Sequence, residues 1–364
     1  MKIKEITTYL ETIAPIYYQE NYDNSGLIVG DENAIVNAAL VTLDCTEAII
    51  DEALAKGCNL VIAHHPIIFK GLKKLNGGDY IQRIIIKAIK HNISIYAMHT
   101  NLDNVLNGVS SEIAKRLGVK NTKILKPKKD LLRQLVVYCP TSDVDKLRNQ
   151  LFQAGAGDIG NYDECSFSSV GKGTFRSDER CNPHVGLIGE RNTVEEEKIE
   201  VVFTKDKENS IISAMKNTHP YEEVAYQIYS LDNLYQDVGS GIIGELPKAI
   251  KAEKFLAMIK SKMKTDCVRY TKLVKDKIKK VAICGGSGSF LLSIAKKAKA
   301  DIFITADFKY HEFFNAENKI VIADIGHYES EQFTKDLIFD LLTKKFTKFA
   351  VRLSKVNTNP IKYL

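Results

Sequence analysis

The sequence predicts a discontinuous α/β metal-binding domain interrupted by a small inserted α+β domain. Three observations lead there. Short apolar runs alternate with helix-patterned segments up to about residue 125, and the same texture returns after about residue 250. The stretch between them has a different rhythm and is bounded by polar, helix-breaking segments. Polar clusters rich in histidine and carboxylate follow directly behind several of the apolar runs.

Taken in order, residues 39–44 read as a strand, 47–56 as a helix, 60–63 as a strand, 81–90 as a helix and 93–98 as a strand. Strands alternating with helices imply βαβ units and a parallel sheet. After Lys126-Pro127-Lys128-Lys129-Asp130 the order becomes strand 132–138, helix 142–154, part of a hairpin at 170–175, strand 201–203, helix 208–216 and strand 224–229. That β-α-β-β-α-β order is the ferredoxin-like arrangement. A second polar junction, residues 232–244, closes it. The α/β pattern then resumes with a strand at 281–284, the glycine-rich Gly285-Gly286-Ser287-Gly288-Ser289, a helix, and strands at 301–305 and 319–323. The expected boundaries are 1–126 and 236–364 for the two halves of the core and 127–235 for the insert.

The bulk numbers agree with such a chain. At 364 residues it is long for one domain, and its 45% hydrophobic and 26% charged residues are the composition of a folded protein rather than a disordered one. Fifty-one Lys and Arg against forty-five Asp and Glu leave a mild excess of +6, spread along the chain. No lysine run is interleaved with base-stacking aromatics, which argues against nucleic acid as a partner. The N-terminus lacks an apolar signal segment and no apolar stretch would span a bilayer, so a cytoplasmic location without membrane contact is expected. Seven dispersed cysteines without a Cys-x-x-Cys pair read as reduced thiols, not as a disulfide framework or a thiolate zinc site.

The site is expected where the polar clusters fall. His64-His65 directly follows the 60–63 run, and neighbouring imidazoles reach one site only where the backbone has left the pleat, which Pro66 promotes. His99-Thr100-Asn101-Leu102-Asp103 follows the 93–98 run, and Asp324-Ile325-Gly326-His327-Tyr328-Glu329-Ser330-Glu331 follows the 319–323 run. A helix starting near His327 would put Glu331 at i+4 on the same face, able to share a metal. Ligands collect at the carboxyl ends of strands in α/β sheets, so three such clusters predict one site. His64, His65, Asp103, His327 and Glu331 are the candidate ligands, with Asp103 expected to bridge. This nitrogen and oxygen set suits two divalent ions, zinc first and manganese or ferrous iron as alternatives, with water completing the coordination. His99 is expected to orient a ligand or carry a proton.

Other polar residues read more plainly. His91 and His184 stand alone. The 285–289 glycines suit either a phosphate-holding loop or a tight turn, and match neither common nucleotide motif. Asp307 reads as a helix cap, leaving Lys309 and His311 as open substrate contacts.

These residues carry a family resemblance. His64-His65-Pro66-Ile67-Ile68-Phe69, His99 to Asp103, Thr305 to Glu312 and Gly326 to Glu331 resemble motifs of the GTP cyclohydrolase 1 type 2 homologues, the Ngg-interacting-factor-three-like family. Tyr22 to Asp31 resembles a further signature, with Tyr22 where tryptophan is common and Ala306 where glycine is usual; His219 to Tyr226 resembles another inside the insert. The resemblance implies a dinuclear metal site on the five named ligands, a toroidal homohexamer, and an insert similar to the CutA and PII-like folds. It also implies metal-dependent hydrolysis, with opening of the GTP imidazole ring and release of formate. A non-catalytic protein that stores, delivers or senses metal is the alternative.

Overall fold

A computed structural model describes all 364 residues. It divides into two compact units, one made of residues 1–127 and 237–364 and the other of residues 128–236.

In the first unit the chain runs through α1 (Ile3–Ile13), β1 (Gly26–Val29), β2 (Ala38–Thr42), α2 (Glu47–Ala55), β3 (Leu60–Ala63), α3 (Tyr80–Lys90), β4 (Ser94–Ala97), the single turn α4 (Thr100–Asp103), α5 (Val109–Leu117) and β5 (Lys120–Lys128). The second unit contributes β6 (Leu132–Pro140), α6 (Val144–Gln153), β7 (Ser166–Phe175), β8 (Asn192–Thr204), α7 (Glu208–Thr218) and β9 (Tyr226–Leu231). The chain then returns with β10 (Tyr235–Lys251), α8 (Ala252–Lys262), β11 (Arg269–Tyr270), β12 (Lys277–Ser287), α9 (Leu292–Lys297), β13 (Ile302–Ala306), β14 (Val321–Asp324), α10 (His327–Glu331), α11 (Thr334–Lys345) and β15 (Ala350–Leu353).

The first unit holds two sheets where the sequence suggested one continuing pattern. A five-stranded sheet has the order β1-β4-β3-β2-β15, parallel except for β1. A six-stranded sheet has the order β11-β14-β13-β12-β10-β5, with β12, β13 and β14 parallel and β11 and β10 antiparallel to their neighbours. Both are covered on two faces, which is why their strands read as unbroken apolar runs. In the five-stranded sheet Leu40, Val61, Ala63 and Ile95 pack toward α2 and α3, while Ala39, Val41, Leu60 and Ile62 pack toward α1 and α11. In the six-stranded sheet Val281, Ile283, Ile302 and Ile304 face α5 and α8, and Ala282, Cys284 and Phe303 face α9.

The boundary between the two units falls inside the second polar segment, at 236/237, but that segment is not an irregular linker. Residues 235–251 form one long strand, β10, with Val238, Ile242 and Ile243 buried. Its glycines look like breakers but serve close approach: a Cβ on Gly239 would lie 2.1 Å from the Lys126 carbonyl, and one on Gly244 2.7 Å from that of Lys120. Lys126 to Lys128 likewise belongs to β5.

The second unit is an antiparallel sheet of order β7-β8-β6-β9. Alternate residues Leu135, Val137, Ile199, Val201 and Phe203 form its core with Leu147 and Leu151 of α6 and Ile211 and Met215 of α7. Strand β8 runs much further than the apolar triplet 201–203, because its outer part carries the charged Glu195, Glu196 and Glu197 in register with β7.

Candidate metal centre

Four imidazoles meet in the first unit at the carboxyl ends of strands drawn from both sheets. His64 and His65 follow β3, His99 follows β4, and His327 opens α10 behind β14. Their ring centroids lie 4.8 Å apart for His64 and His65, and 5.4 Å for His64 and His99, His65 and His99, and His65 and His327. The backbone leaves the pleat at the histidine pair as expected: the amides of both His64 and His65 bond to the Leu43 carbonyl.

Each ring is held by its Nδ1, leaving Nε2 for the centre. His64 Nδ1 is 2.7 Å from the Met98 carbonyl, His65 Nδ1 2.7 Å from Asp44 Oδ1, His99 Nδ1 2.7 Å from Asp23 Oδ1 and His327 Nδ1 2.7 Å from Asp307 Oδ2. An oxygen on the far nitrogen is the usual way a metal-ligating histidine is oriented and made more basic. Glu331 lies at the middle. Its Oε2 is 2.9 Å from His65 Nε2, 3.2 Å from His327 Nε2 and 3.8 Å from His64 Nε2. Glu331 thus stands among three imidazoles, while Asp103 comes within 3.7 Å of His64 and shares a ligand set with His64 and Glu331.

That last pair is the test of whether a metal fits. His64 is fully buried, and neither its Nε2 nor Asp103 Oδ1 has a hydrogen-bond partner. Orphaned buried polar atoms are costly and rare. At 3.7 Å the two are too far apart to bond each other, yet tetrahedral zinc with bonds of about 2.0–2.2 Å separates its ligand atoms by roughly this much. Three sets of ligand atoms lie within 4.8 Å of one another: His64, Asp103 and Glu331; His65, His327 and Glu331; and His64, His65 and His99.

The electrostatics match a site built for cations. Burial disfavours the charged form of His64 and lowers its pKa, keeping a lone pair on Nε2. Burial acts the same way on His65, but hydrogen bonds to Asp44 and Glu331 outweigh it and push the ring up to about 10. Glu331, with Asp307, similarly overcomes the burial of His327 and raises it to about 11. Burial opposes ionisation of Glu331, yet the three histidines hold it well below the usual carboxylate range. Asp103 goes the other way, raised by desolvation and by the charge of Glu331. Without cations the cluster therefore substitutes protons for them.

Several residues take roles that the sequence did not assign. Asp307 is no cap. It sits at φ +59°, directs its carboxylate to His327, and leaves Lys309 as the residue before the 3-10 segment Tyr310–Ala316. Asp44 closes β2 in the same way that the histidines close β3, and it also accepts the Thr358 hydroxyl. Asp23 lies in the Tyr22–Asp31 signature and accepts from His99, Thr100 and the Asn24 amide. Its position behind no apolar strand hid it. At 285–289 the glycines make room for close packing: a Cβ on Gly286 would lie 2.3 Å from Glu331 Oε1, and the amides of Gly285 and Gly286 donate to Ser110 and Ser330. His91 is the exposed end of α3, His311 stacks on Phe314, and His184 lies near Tyr221 in the second unit. In that unit His219 is fully used, with Nε2 on the Tyr138 carbonyl and Nδ1 accepting from the Tyr221 amide.

Fold and site together define an α/β protein with three sheets, two of them in the unit that carries a histidine–carboxylate cluster of metal-ligand chemistry. A family model described as Duf34/NIF3 (NGG1p interacting factor 3) matches residues 1–360. The chain belongs to that family. It is 38% identical to a Halalkalibacterium halodurans protein named GTP cyclohydrolase 1 type 2 homolog over 94% of this chain and 93% of that one, and 37% identical to a Bacillus subtilis protein of the same name over 99% and 98%. A Bacillus cereus crystal structure described as related to NIF3 superposes with a TM-score of 0.86 at 34% identity, covering 100% of this chain and 99% of that one. A Staphylococcus aureus structure gives 0.79 at 32%, with the same coverage. No helix is long and apolar enough to cross a membrane.

Proposed function

We propose that this protein binds two divalent ions per chain, zinc first, and uses them in hydrolysis of a nucleotide, with GTP ring opening as the reaction to test. The carrying observation is the pair of orphaned atoms, His64 Nε2 and Asp103 Oδ1, facing Glu331. In this reading His64 and Asp103 would hold one ion and His65 and His327 the other, with Glu331 within reach of both sets. Such ions, when bound, lower the pKa of water toward neutrality and polarise a substrate oxygen.

The side chains do the rest. Asp44 and Asp307 keep His65 and His327 turned inward. His99, clamped by Asp23, presents Nε2 beside the cluster and moves the proton. One water adds to the imidazole carbon between the two ring nitrogens and opens the ring to a formamide. A second water cleaves that formamide and releases formate, with His99 protonating the departing nitrogen. The names of the Halalkalibacterium and Bacillus relatives support GTP as the first substrate.

A non-catalytic metal-holding role is favoured by one observation: the Gly285 and Gly286 amides of the 285–289 loop are already donated to Ser110 and Ser330. The same reading of the family places the second unit as an inserted ferredoxin-like domain, supported by its β-α-β-β-α-β order and its strand order, and makes the assembly a cytoplasmic toroidal homohexamer. Metal analysis of protein purified without chelator should find about two ions per chain, and metal-replete protein should release formate from GTP. Full metal content without formate would leave the metal-holding reading; an empty site would remove both.

A further inference from the structure

We propose that a pocket beside β11 binds a mononucleotide-like ligand, a planar aromatic ring carrying an anionic group. The pocket has a volume of about 370 Å³, the lower end of the range for small-molecule sites. Arg269, Tyr270 and Lys272 line one side, and Tyr310, Phe313 and Phe314 the other. None of the lining residues is acidic.

Three of its aromatics are turned outward, with Tyr270 54%, Tyr310 72% and Phe314 67% exposed. Large exposed aromatics gathered around one concavity offer ring faces for stacking. The two cations add the charge preference. Arg269 lies 5.5 Å over the Phe313 ring and is ion-paired to the buried Asp324, so its guanidinium is fixed in place yet half exposed. Lys272 is exposed at the pocket edge and supplies the net positive charge.

The walls are preformed. Arg269 and Tyr270 pair with Asp324 and Ala323 of β14, and Thr271 exchanges hydrogen bonds with the Ile322 backbone. The pocket is also tied to the histidine cluster, since Asp324 accepts from the Phe308 amide while the adjacent Asp307 holds His327. Its ligand chemistry, however, rests on its own walls. It does not depend on the hydrolase reading.

Calorimetric titration of the full-length protein with GMP, guanosine and inorganic phosphate tests this. GMP should bind, and each half alone should bind more weakly. Tyr310→Ala should weaken GMP roughly tenfold, as expected for loss of one stacked base, while Tyr310→Phe keeps affinity. Lys272→Ala should weaken GMP and leave guanosine unchanged. Both positions are exposed, and unchanged metal content would show the variants intact. Wild-type GMP affinity in both alanine variants would overturn the proposal. So would a single-stranded oligonucleotide binding far more tightly than GMP through the same residues, or a change of sedimentation mass in Tyr310→Ala without GMP binding, which would make the patch a contact between copies. Failure of GTP turnover leaves the GMP result standing, and failure of GMP binding leaves metal content and formate release standing.

Discussion

Asp23 accepts a hydrogen bond from His99 Nδ1 at 2.7 Å, and its buried carboxylate also accepts from the Thr100 amide, the Asn24 amide and the Ser25 hydroxyl, tying that histidine to its own loop. The hydrogen bonds overcome the desolvation of Asp23 and hold it well below the usual carboxylate range, so it is ionised at any working pH. If His99 moves the proton, Asp23→Asn should lower formate release about 100-fold while leaving metal content unchanged. Metal loss in that variant would instead make the Asp23–His99 pair part of the binding site.

Asp103 is expected to trade stability for metal. Desolvation and the Glu331 charge raise its pKa, and its Oδ1 has no partner. Asp103→Asn should therefore lower metal stoichiometry yet leave the melting temperature of chelator-treated protein unchanged or higher. Wild-type protein should lose stability on chelation by about 3 kcal/mol for each ion held at a hundredfold over its Kd. A melting temperature that ignores both chelator and added zinc would contradict the site.

The pH dependence of the metal-free protein follows from His65 and His327. Their folded pKa values are raised to about 10 and about 11 from 6.5. A raised value means the stabilisation is fully present below about 6.5 and is lost as pH rises toward 10 to 11. Thermal melts of metal-free protein should fall through that window. Metal must displace these protons, so zinc addition should release protons in weakly buffered solution, and affinity should rise with pH.

Gly286 is fixed by the room that Glu331 needs. At φ +61°, with a Cβ that would sit 2.3 Å from Glu331 Oε1, Gly286→Ala is strained twice over. It should cost at least about 1 kcal/mol and reduce metal content, read by metal analysis and denaturant melts. Gly171, whose Cβ would meet nothing, should accept alanine without either effect.

Residues 128–236 carry a core drawn entirely from within themselves. Leu147→Ala, at a fully buried position in that core, should cost about 2–5 kcal/mol. The loss should appear in an unfolding transition of that unit, with metal content preserved. A matching loss of metal would show that the two units unfold as one.

Periodicity made the strands and helices around the site readable, because strands covered on both faces must be apolar throughout, as Leu60 to Ala63 and Val321 to Ala323 are. The same logic located His64, His65, Asp103, His327 and Glu331, since polar residues directly behind buried strands have few structural reasons to be there. What the sequence could not carry was partnership. The separation into two sheets depends on long-range pairing, such as β15 beside β2, that no local pattern encodes. Glycines 239 and 244 read as breakers because only the approach of β5 shows the space they clear. Asp23, Asp44 and Asp307 gain their roles from single hydrogen bonds to histidines 76, 21 and 20 residues away. The sequence by itself determined which residues carry nitrogen and oxygen to the strand ends. Only the tertiary structure decided that Glu331 faces His64, His65 and His327 together, because a shared centre is set by distances between segments, and distance across a fold is not written in the order of a chain.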